Sequence, residues 1–179
     1  LSMLTGFLLV AQVAVCFTAQ PATAFAGLYT ATAAAQVMKV ILTAGAFIVV
    51  VMAQSWIERE DVARKEGEFY ELIISTLLGM YMMISSGHFL MFFLGLEMAS
   101  VPMACLVAFD KYKKESAEGA AKFILTATFS SGVMLYGISF LYGACGTLYF
   151  DDMAAKISAT PLTIMGLVFF FSGLGFKIS

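Results

Sequence analysis

The feature that most constrains the fold is a long apolar run over residues 88–109, in which Glu97 is the only carboxylate. About 20 mostly apolar residues form a helix long enough to cross the hydrocarbon core of a bilayer. A charge at the centre of such a helix costs roughly 2.5 to 3.5 kcal/mol on insertion scales, so it usually faces the protein interior. Glu97 lies near the middle of the run and is therefore a candidate for an ion or proton path. A neutral, protonated Glu97 that hydrogen-bonds a neighbouring helix is the simpler alternative.

Five more apolar runs accompany this one, and together they predict an all-α fold, a polytopic transmembrane bundle of about six helices. The predicted spans are residues 1–19, 33–56, 69–86, 88–109, 119–144 and a sixth from 161 onward. Apolar residues make up 61% of the chain and charged residues 12%, which excludes a soluble domain. No long linker or repeat interrupts the spans, so we expect one transmembrane domain over residues 1–179. The chain lacks a start methionine and ends inside a predicted helix, so we expect a fragment.

Charge and cysteine content exclude several classes of protein. The net charge is −2 and there is no basic block, so nothing indicates a nucleic-acid partner. Cys16, Cys105 and Cys145 lie in or beside separate apolar runs without the spacing of a metal or redox site. We therefore expect no metal and interpret the cysteines as small buried thiols.

The loops predict an orientation in the membrane. Two loops on the same side carry most of the basic residues, which are Arg59, Arg64, Lys65, Lys111, Lys113 and Lys114. On the opposite side, the loop between the fifth and sixth spans contributes Lys156. Because loops rich in lysine and arginine stay in the cytoplasm, the first span is expected to begin there.

Four further ionisable residues lie within or beside the apolar runs. Lys177 follows a glycine-rich stretch in the last span, and it is either a buried charge or a lysine that snorkels to the interface. Lys122 lies just inside the fifth span and fits both interpretations equally well. Lys39 is expected at the interface, early in the second span. His88 opens the fourth span as a polar helix end, and a role in proton exit is a weaker hypothesis.

Pro102 is a candidate kink in the span that carries Glu97. Proline cannot donate a backbone hydrogen bond to residue i−4, which is Met98. The freed carbonyl can admit water or a polar neighbour close to the Glu97 carboxylate. A purely structural kink is common in membrane helices, so Pro102 supports the proton path without deciding it.

Four motifs together resemble subunit N of proton-pumping NADH:quinone oxidoreductase, the respiratory complex I. They are GEFYELI at 67–73, FLGLEMASVP at 93–102, SAEGAAKFIL at 116–125 and GLGFKIS at 173–179. The related subunits L and M usually have tryptophan before the glutamate, whereas Leu96 precedes Glu97 here, which favours subunit N. One departure is Phe123, where many relatives have tyrosine.

The resemblance implies a cation/proton antiporter-like fold of two inverted repeats, of which this chain would form most of the first. Glu97 would be the glutamate of a Glu–Lys pair, and Lys177 the lysine on a broken helix. Lys122 would match the lysine on the intervening helix. The implied activity is proton translocation coupled to electron transfer from NADH to quinone. The chain has no flavin, nicotinamide or iron–sulfur motif, so NADH, FMN, iron–sulfur clusters and quinone are expected in partner subunits.

The same resemblance implies partners and a location. We expect the other membrane-arm subunits of complex I, the C-terminal half of the same subunit and the lipid bilayer as partners. The bacterial inner (plasma) membrane is the expected location, with the mitochondrial inner membrane as an alternative. Two other functions stay open, a subunit of a cation/proton antiporter or membrane-bound hydrogenase, and a non-catalytic scaffold. A scaffold would tolerate neutral residues at positions 97 and 177.

Overall fold

The computed structural model describes residues 2–18, 20–57, 65–110 and 113–178, and these residues form a predominantly helical bundle. The predicted fold class is therefore confirmed. The helices are α1 (Ser2–Thr18), α2 (Ala33–Ile57), α3 (Glu66–Ile84), α4 (Phe89–Val107), α5 (Lys114–Cys145), α6 (Phe150–Lys156) and α7 (Pro161–Ile178). Six of them coincide with the predicted spans, and the short α6 lies between the last two.

Four helices in the described part of the chain are long and apolar enough to cross a membrane. These are α2, α4, α5 and α7. Helix α1 is apolar but shorter, with 17 residues. Helix α3 begins with an acidic stretch containing Glu66, Glu68 and Glu71, which lowers its hydropathy. The chain is accordingly a multi-pass membrane protein, although two of the six predicted spans are less apolar or shorter than the rest.

Glycines allow the helices to pack closely in two pairs, α3 with α4 and α5 with α7. A Cβ atom on Gly79 of α3 would lie 2.5 Å from the backbone nitrogen of Ala99 in α4. A Cβ atom on Gly173 of α7 would lie 2.6 Å from the carbonyl oxygen of Ser130 in α5. Small residues of this kind let membrane helices approach backbone to backbone. The contact at Gly173 holds α7 against α5 one turn before Lys177.

A short β-hairpin, absent from the sequence prediction, precedes α2. Its strands β1 (Ala22–Ala24) and β2 (Tyr29–Ala31) are antiparallel and flank a single helical turn at Phe25–Gly27. The backbone of Thr30 donates to the carbonyl of Ser85 at 2.7 Å, which fastens the hairpin to the turn between α3 and α4.

The same turn is also joined to the segment that precedes α6. The backbone nitrogen of Phe150 donates to Gly87 at 3.1 Å, and that of Phe89 donates to Leu148 at 3.0 Å. We call the joined segments, residues 20–32, 85–88 and 146–149, the loop layer. It lies at one end of the bundle. Of the basic residues used for the orientation, Arg59, Arg64 and Lys111 lie outside the described residues.

The interior contains two apolar clusters. The first joins α1, α2 and α3 through Leu9, Val50, Ile57, Tyr70, Ile73, Leu77 and Tyr81. The second joins α4, α5 and α7 through Leu96, Met134, Ile138 and Phe170. Met134 and Leu141 of α5 are fully buried, so α5 is the central helix of the second cluster. The Glu97 position follows Leu96 directly and therefore lies beside this cluster.

Candidate functional site: an interhelical ion pair

Glu97 and Lys177, which are 80 residues apart in sequence, form an ion pair. The Lys177 ammonium donates to Glu97 Oε1 with a distance of 2.7 Å between Nζ and the oxygen. The Lys177 side chain is 11% exposed and the Glu97 side chain 31%. Lys177 on α7 thus faces Glu97 on α4. A lysine that snorkels to the interface would point away from the bundle, so this contact does not match the snorkelling alternative.

Two serines complete the site. Ser131 of α5 donates a hydrogen bond to Glu97 Oε1, the same oxygen that accepts from Lys177. Ser100 of α4 accepts from Lys177 Nζ at 3.2 Å. The carboxylate thus has two donors, and the ammonium has two acceptors. Charges in an apolar interior need such additional hydrogen bonds, since Coulomb attraction alone does not offset the loss of hydration.

Three helices supply these side chains, and local helical geometry brings them together. Ser100 follows Glu97 by three residues on α4, a spacing that puts both on one face of the helix. Lys177 lies in the last turn of α7, and helical side chains lean toward the helix N-terminus. Its ammonium therefore reaches back into the bundle, away from the helix end. Ser131 is 5% exposed and fixes the position of the carboxylate from α5.

The structure does not bring Lys122 to this site. Its ammonium pairs with Glu118 one turn earlier on α5, and the two side chains are 73% and 67% exposed. Lys122 precedes Ser131 by nine residues, or about 13.5 Å along a helix. In the described part of the chain Lys122 therefore lies on the outer face of the bundle.

His88 lies in the loop layer, just before the first residue of α4. Its Nδ1 accepts a hydrogen bond from the Leu90 backbone at 3.1 Å and so caps the helix. The ring packs edge-on against Tyr149, with 4.7 Å between ring centroids. Burial lowers the pKa of His88, because the charged imidazolium loses hydration there. His88 precedes Glu97 by nine residues, about 13.5 Å along the helix. Its proposed role in proton exit remains a prediction.

Pro102 lies inside α4 and is buried, and the helix continues through it to Val107. The Met98 carbonyl, next to Glu97, lacks the usual partner at residue i+4 because proline has no N–H. The Ser100 hydroxyl bonds the Leu96 carbonyl at 2.7 Å on the other side of Glu97. The helix around the carboxylate is therefore more polar than its apolar sequence indicates.

Lys39 is placed differently from the prediction. It was expected at the membrane interface, but its side chain is only 6% exposed within the described bundle. The loop-layer hairpin covers it, and no sequence signal indicated that hairpin. Cys16 is buried, as expected, but Cys105 is exposed and Cys145 partly buried. No group of three or more potential metal ligands occurs within the described ranges.

A family model described as NADH:quinone oxidoreductase/Mrp antiporter, TM matches residues 86–179. This range is more than half of the chain and includes all four side chains of the site. The chain belongs to this NADH:quinone oxidoreductase/Mrp antiporter family.

Within the family, the chain is similar to proteins named NADH-quinone oxidoreductase subunit N. The one from Phocaeicola vulgatus is 62% identical over 157 residues, covering 88% of this chain and 33% of the relative. The one from Azobacteroides pseudotrichonymphae is 50% identical, covering 87% of this chain and 32% of the relative. The chain thus spans about a third of the length of the curated relatives it matches.

Solved structures agree on the fold. A chain of respiratory complex I from Thermus thermophilus with bound aureothin superposes with a TM-score of 0.81 at 28% identity. That match covers 98% of this chain and 38% of the other. A chain of a membrane-bound sulfane sulfur reductase, an archaeal respiratory membrane complex, superposes with a TM-score of 0.78 at 21% identity, covering 97% of this chain and 37% of the other. The second likeness shows the antiporter-like fold alone.

Sequence reasoning missed the two serines of this site. Ser100 carries a usable signal, because it is one helical turn from Glu97. Ser131 has no local signal, since 34 residues separate it from Glu97 and many serines occur in membrane helices. Only the packing of α4 against α5 brings its hydroxyl to the carboxylate.

Proposed function

We propose that this chain is part of a proton-translocating membrane subunit of NADH:quinone oxidoreductase, and that Glu97 and Lys177 control the movement of the proton. The observation that carries the proposal is the 2.7 Å contact between the Lys177 ammonium and Glu97 Oε1, which joins α4 and α7 inside an antiporter-like bundle. Ionisable residues inside membrane helices usually mark ion or proton paths. The relatives are named as subunits of NADH-quinone oxidoreductase, which supports the choice of this redox complex.

The proposed mechanism is electrostatic switching of proton affinity. While the Lys177 ammonium is in contact, Glu97 is held in its ionised form by the opposite charge. When the ammonium moves away or loses its proton, the carboxylate stands in a poorly hydrated place that favours its protonated form. A small displacement of α7 is then enough to load or unload one proton, because Coulomb attraction falls as the two atoms separate.

The serines have supporting roles in this mechanism. Ser131 donates to the ionised carboxylate, and as a hydroxyl it can accept from a protonated one. Ser100 retains a contact to Lys177 at 3.2 Å, which offers the ammonium an alternative partner when Glu97 is neutral. Lys122 is a proposed further proton carrier, supported by its position in the SAEGAAKFIL motif. Its partner in the described residues is Glu118.

The proposal assigns the redox chemistry to other subunits. NADH, FMN, iron–sulfur clusters and quinone would be bound there, and this chain would convert a remote signal into proton movement. The proposed partners are the other membrane-arm subunits, the C-terminal half of the same subunit and the lipid bilayer. The bacterial inner membrane is the proposed location, supported by bacterial relatives. A role in a cation/proton antiporter is the second candidate, favoured by the inclusion of Mrp antiporters in the family description.

The test is Glu97→Gln in the complete subunit within its assembled complex. We expect proton uptake by membrane vesicles energised with NADH to be strongly reduced, because an amide cannot carry the proton. Glu115→Gln, at an exposed position at the start of α5, is the matched control and should retain wild-type uptake. Wild-type uptake by a fully assembled Glu97→Gln complex would refute the carrier role. Uptake that requires sodium in place of NADH would favour the antiporter.

A further inference from the structure

A second buried cation lies outside the site already described. Lys39 of α2 is 6% exposed and lies six residues into the helix, about 9 Å from its first residue. Its ammonium donates to the Tyr29 hydroxyl at 2.6 Å. The same nitrogen lies 4.9 Å from the centroid of the Tyr29 ring and 5.9 Å from that of Tyr81. Lys39 is thus enclosed by two phenol rings, one from the hairpin and one from α3.

Among the described residues, no carboxylate forms an ion pair with Lys39. The titratable groups that face the cluster are Tyr29 from the hairpin, Tyr81 from α3 and Cys16 from α1. Two fully buried hydroxyl groups are also near. Thr43 donates to the Lys39 carbonyl at 2.6 Å and bonds the Tyr81 hydroxyl, and Ser85 lies beside the Tyr29 phenol. The environment is therefore polar but contains no fixed negative charge.

A buried ammonium without a carboxylate is costly unless other groups offset its lost hydration. The Tyr29 hydroxyl oxygen accepts one of the hydrogen bonds of the ammonium, and the Tyr81 ring lies within about 6 Å of it. These contacts offset part of the hydration that the ammonium loses on burial. The ammonium and the phenol also share one 2.6 Å hydrogen bond, and a proton transfer between the two groups needs that geometry.

We infer that Lys39 and Tyr29 form a second proton-binding site, at the loop-layer end of the bundle. Tyr29 releases its phenolic proton toward the loop layer, and the Lys39 ammonium then passes a proton along the 2.6 Å hydrogen bond to the phenolate. The products are a neutral amine, an intact phenol and one released proton, and the reverse sequence reloads the site. The use of this site in proton translocation rests on the function proposed above, whereas the presence of the site does not depend on that function.

The position of Tyr29 supports the outward direction of this transfer. Tyr29 is only partly buried and belongs to β2, which lies outside the membrane-spanning helices. Burial raises the pKa of this phenol, but the hydrogen bonds with Lys39 and Ser85 and the positive charge of Lys39 together outweigh that effect, so the pKa lies below its ordinary value. The phenol therefore gives up its proton more readily than a free tyrosine does while Lys39 is charged.

The competing explanation is that Lys39 only anchors the hairpin. A first measurement tests whether Lys39 affects the titration of Tyr29, and it does not depend on proton pumping. Tyrosine labelled with ¹³C at Cζ would be followed by NMR against pH in the full-length protein in nanodiscs, with Tyr29→Phe assigning the resonance. We expect Lys39→Met to shift the Tyr29 titration to higher pH. Lys156→Met, an exposed lysine near the same end, should leave it unchanged. An unshifted Tyr29 titration in Lys39→Met would overturn the site.

A second measurement tests its use, through NADH-driven proton uptake by vesicles that contain the assembled complex. Lys39→Arg keeps the positive charge but cannot release a proton, so uptake should be lost as in Lys39→Met. Tyr29→Phe keeps the ring but removes the hydroxyl that accepts from Lys39, and it too should reduce uptake. Wild-type uptake in both Lys39→Arg and Tyr29→Phe would overturn the role in transfer and leave an anchor. Failure of the Glu97 proposal would instead appear as normal uptake in Glu97→Gln, with the Tyr29 titration still shifted in Lys39→Met.

Discussion

Removal of one charge of the Glu97–Lys177 pair should destabilise the protein. Removal of both charges should destabilise it by less than the sum of the losses in the two single variants. At the observed distance of 2.7 Å the gross Coulomb attraction is about 6 kcal/mol with an effective dielectric constant of about 20. Desolvation cancels much of it, and loss of one partner from a buried pair typically costs about 3 to 5 kcal/mol. Lys177→Met leaves the carboxylate of Glu97, which is 31% exposed, so the lower end of about 3 kcal/mol applies to that variant. Glu97→Gln leaves the ammonium of Lys177, which is only 11% exposed, so its loss should be the larger of the two.

The assay is equilibrium unfolding of the full-length protein and its variants Glu97→Gln, Lys177→Met and the double variant. Both replacements are close in size to the native side chains, so the packing beside α5 changes little. Each single variant leaves one charge without its partner, whereas the double variant leaves none. We therefore expect the double variant to be more stable than either single variant, although it should not translocate protons.

The surface pair formed by Glu118 and Lys122 provides the matched control. It has the same chemistry but is mostly exposed, and exposed ion pairs contribute little to stability. Glu118→Gln and Lys122→Met should leave unfolding nearly unchanged, singly and together. The reasoning is refuted if the Glu97 and Lys177 variants behave like this control, with small and additive effects. Such a result would mean that water hydrates the pair well enough to replace its mutual attraction.

Two further predictions concern residues on either side of this pair. Lys122→Ala should leave stability unchanged but slow quinone reduction and proton uptake; near-normal rates would assign Lys122 to the outer surface alone. The pKa of His88 is lower in the folded protein than in the unfolded chain, so its stabilising cap is present above about pH 6.5 and lost as pH falls through the folded value. Between pH 7.5 and 5 the melting temperature of the wild type should therefore fall more than that of His88→Asn, which keeps a capping acceptor without titrating. Equal falls in melting temperature would contradict this.

The sequence was sufficient for the bundle because hydropathy acts locally. A run of apolar residues predicts a membrane helix from its own sequence, without knowledge of the helices that pack against it. Six long helices therefore lie where the pattern predicts them. The hairpin at 22–31 was not predictable in this way, since its two strands have three residues each and no alternating pattern. Besides the pairing of its own strands, the hairpin has backbone hydrogen bonds to Ser85 and Gly87, which are distant in sequence.

The site shows the same division between local and distant information. Glu97 stands out on its own, because a carboxylate within an apolar helix is costly and rare. The identity of its partner depends on how α7 packs against α5, and glycines at 137 and 173 set that distance. Lys177 and Lys39 look alike in sequence, as lysines near the ends of apolar helices. The structure pairs the first with a carboxylate and encloses the second between phenols.

This difference follows from what each lysine finds within reach of its four-carbon side chain. Lys177 leans back along α7 toward a helix that carries a carboxylate, so its charge and that of Glu97 largely cancel. Lys39 leans toward the loop layer, where it donates to the Tyr29 hydroxyl, and among the described residues no carboxylate pairs with it. In the proposed mechanism a displacement of α7 breaks the first contact, whereas the proposed transfer at Lys39 follows its 2.6 Å hydrogen bond to Tyr29. The two proposals therefore assign these lysines to different steps of proton movement, the first responding to helix displacement and the second to exchange with solvent at the loop layer.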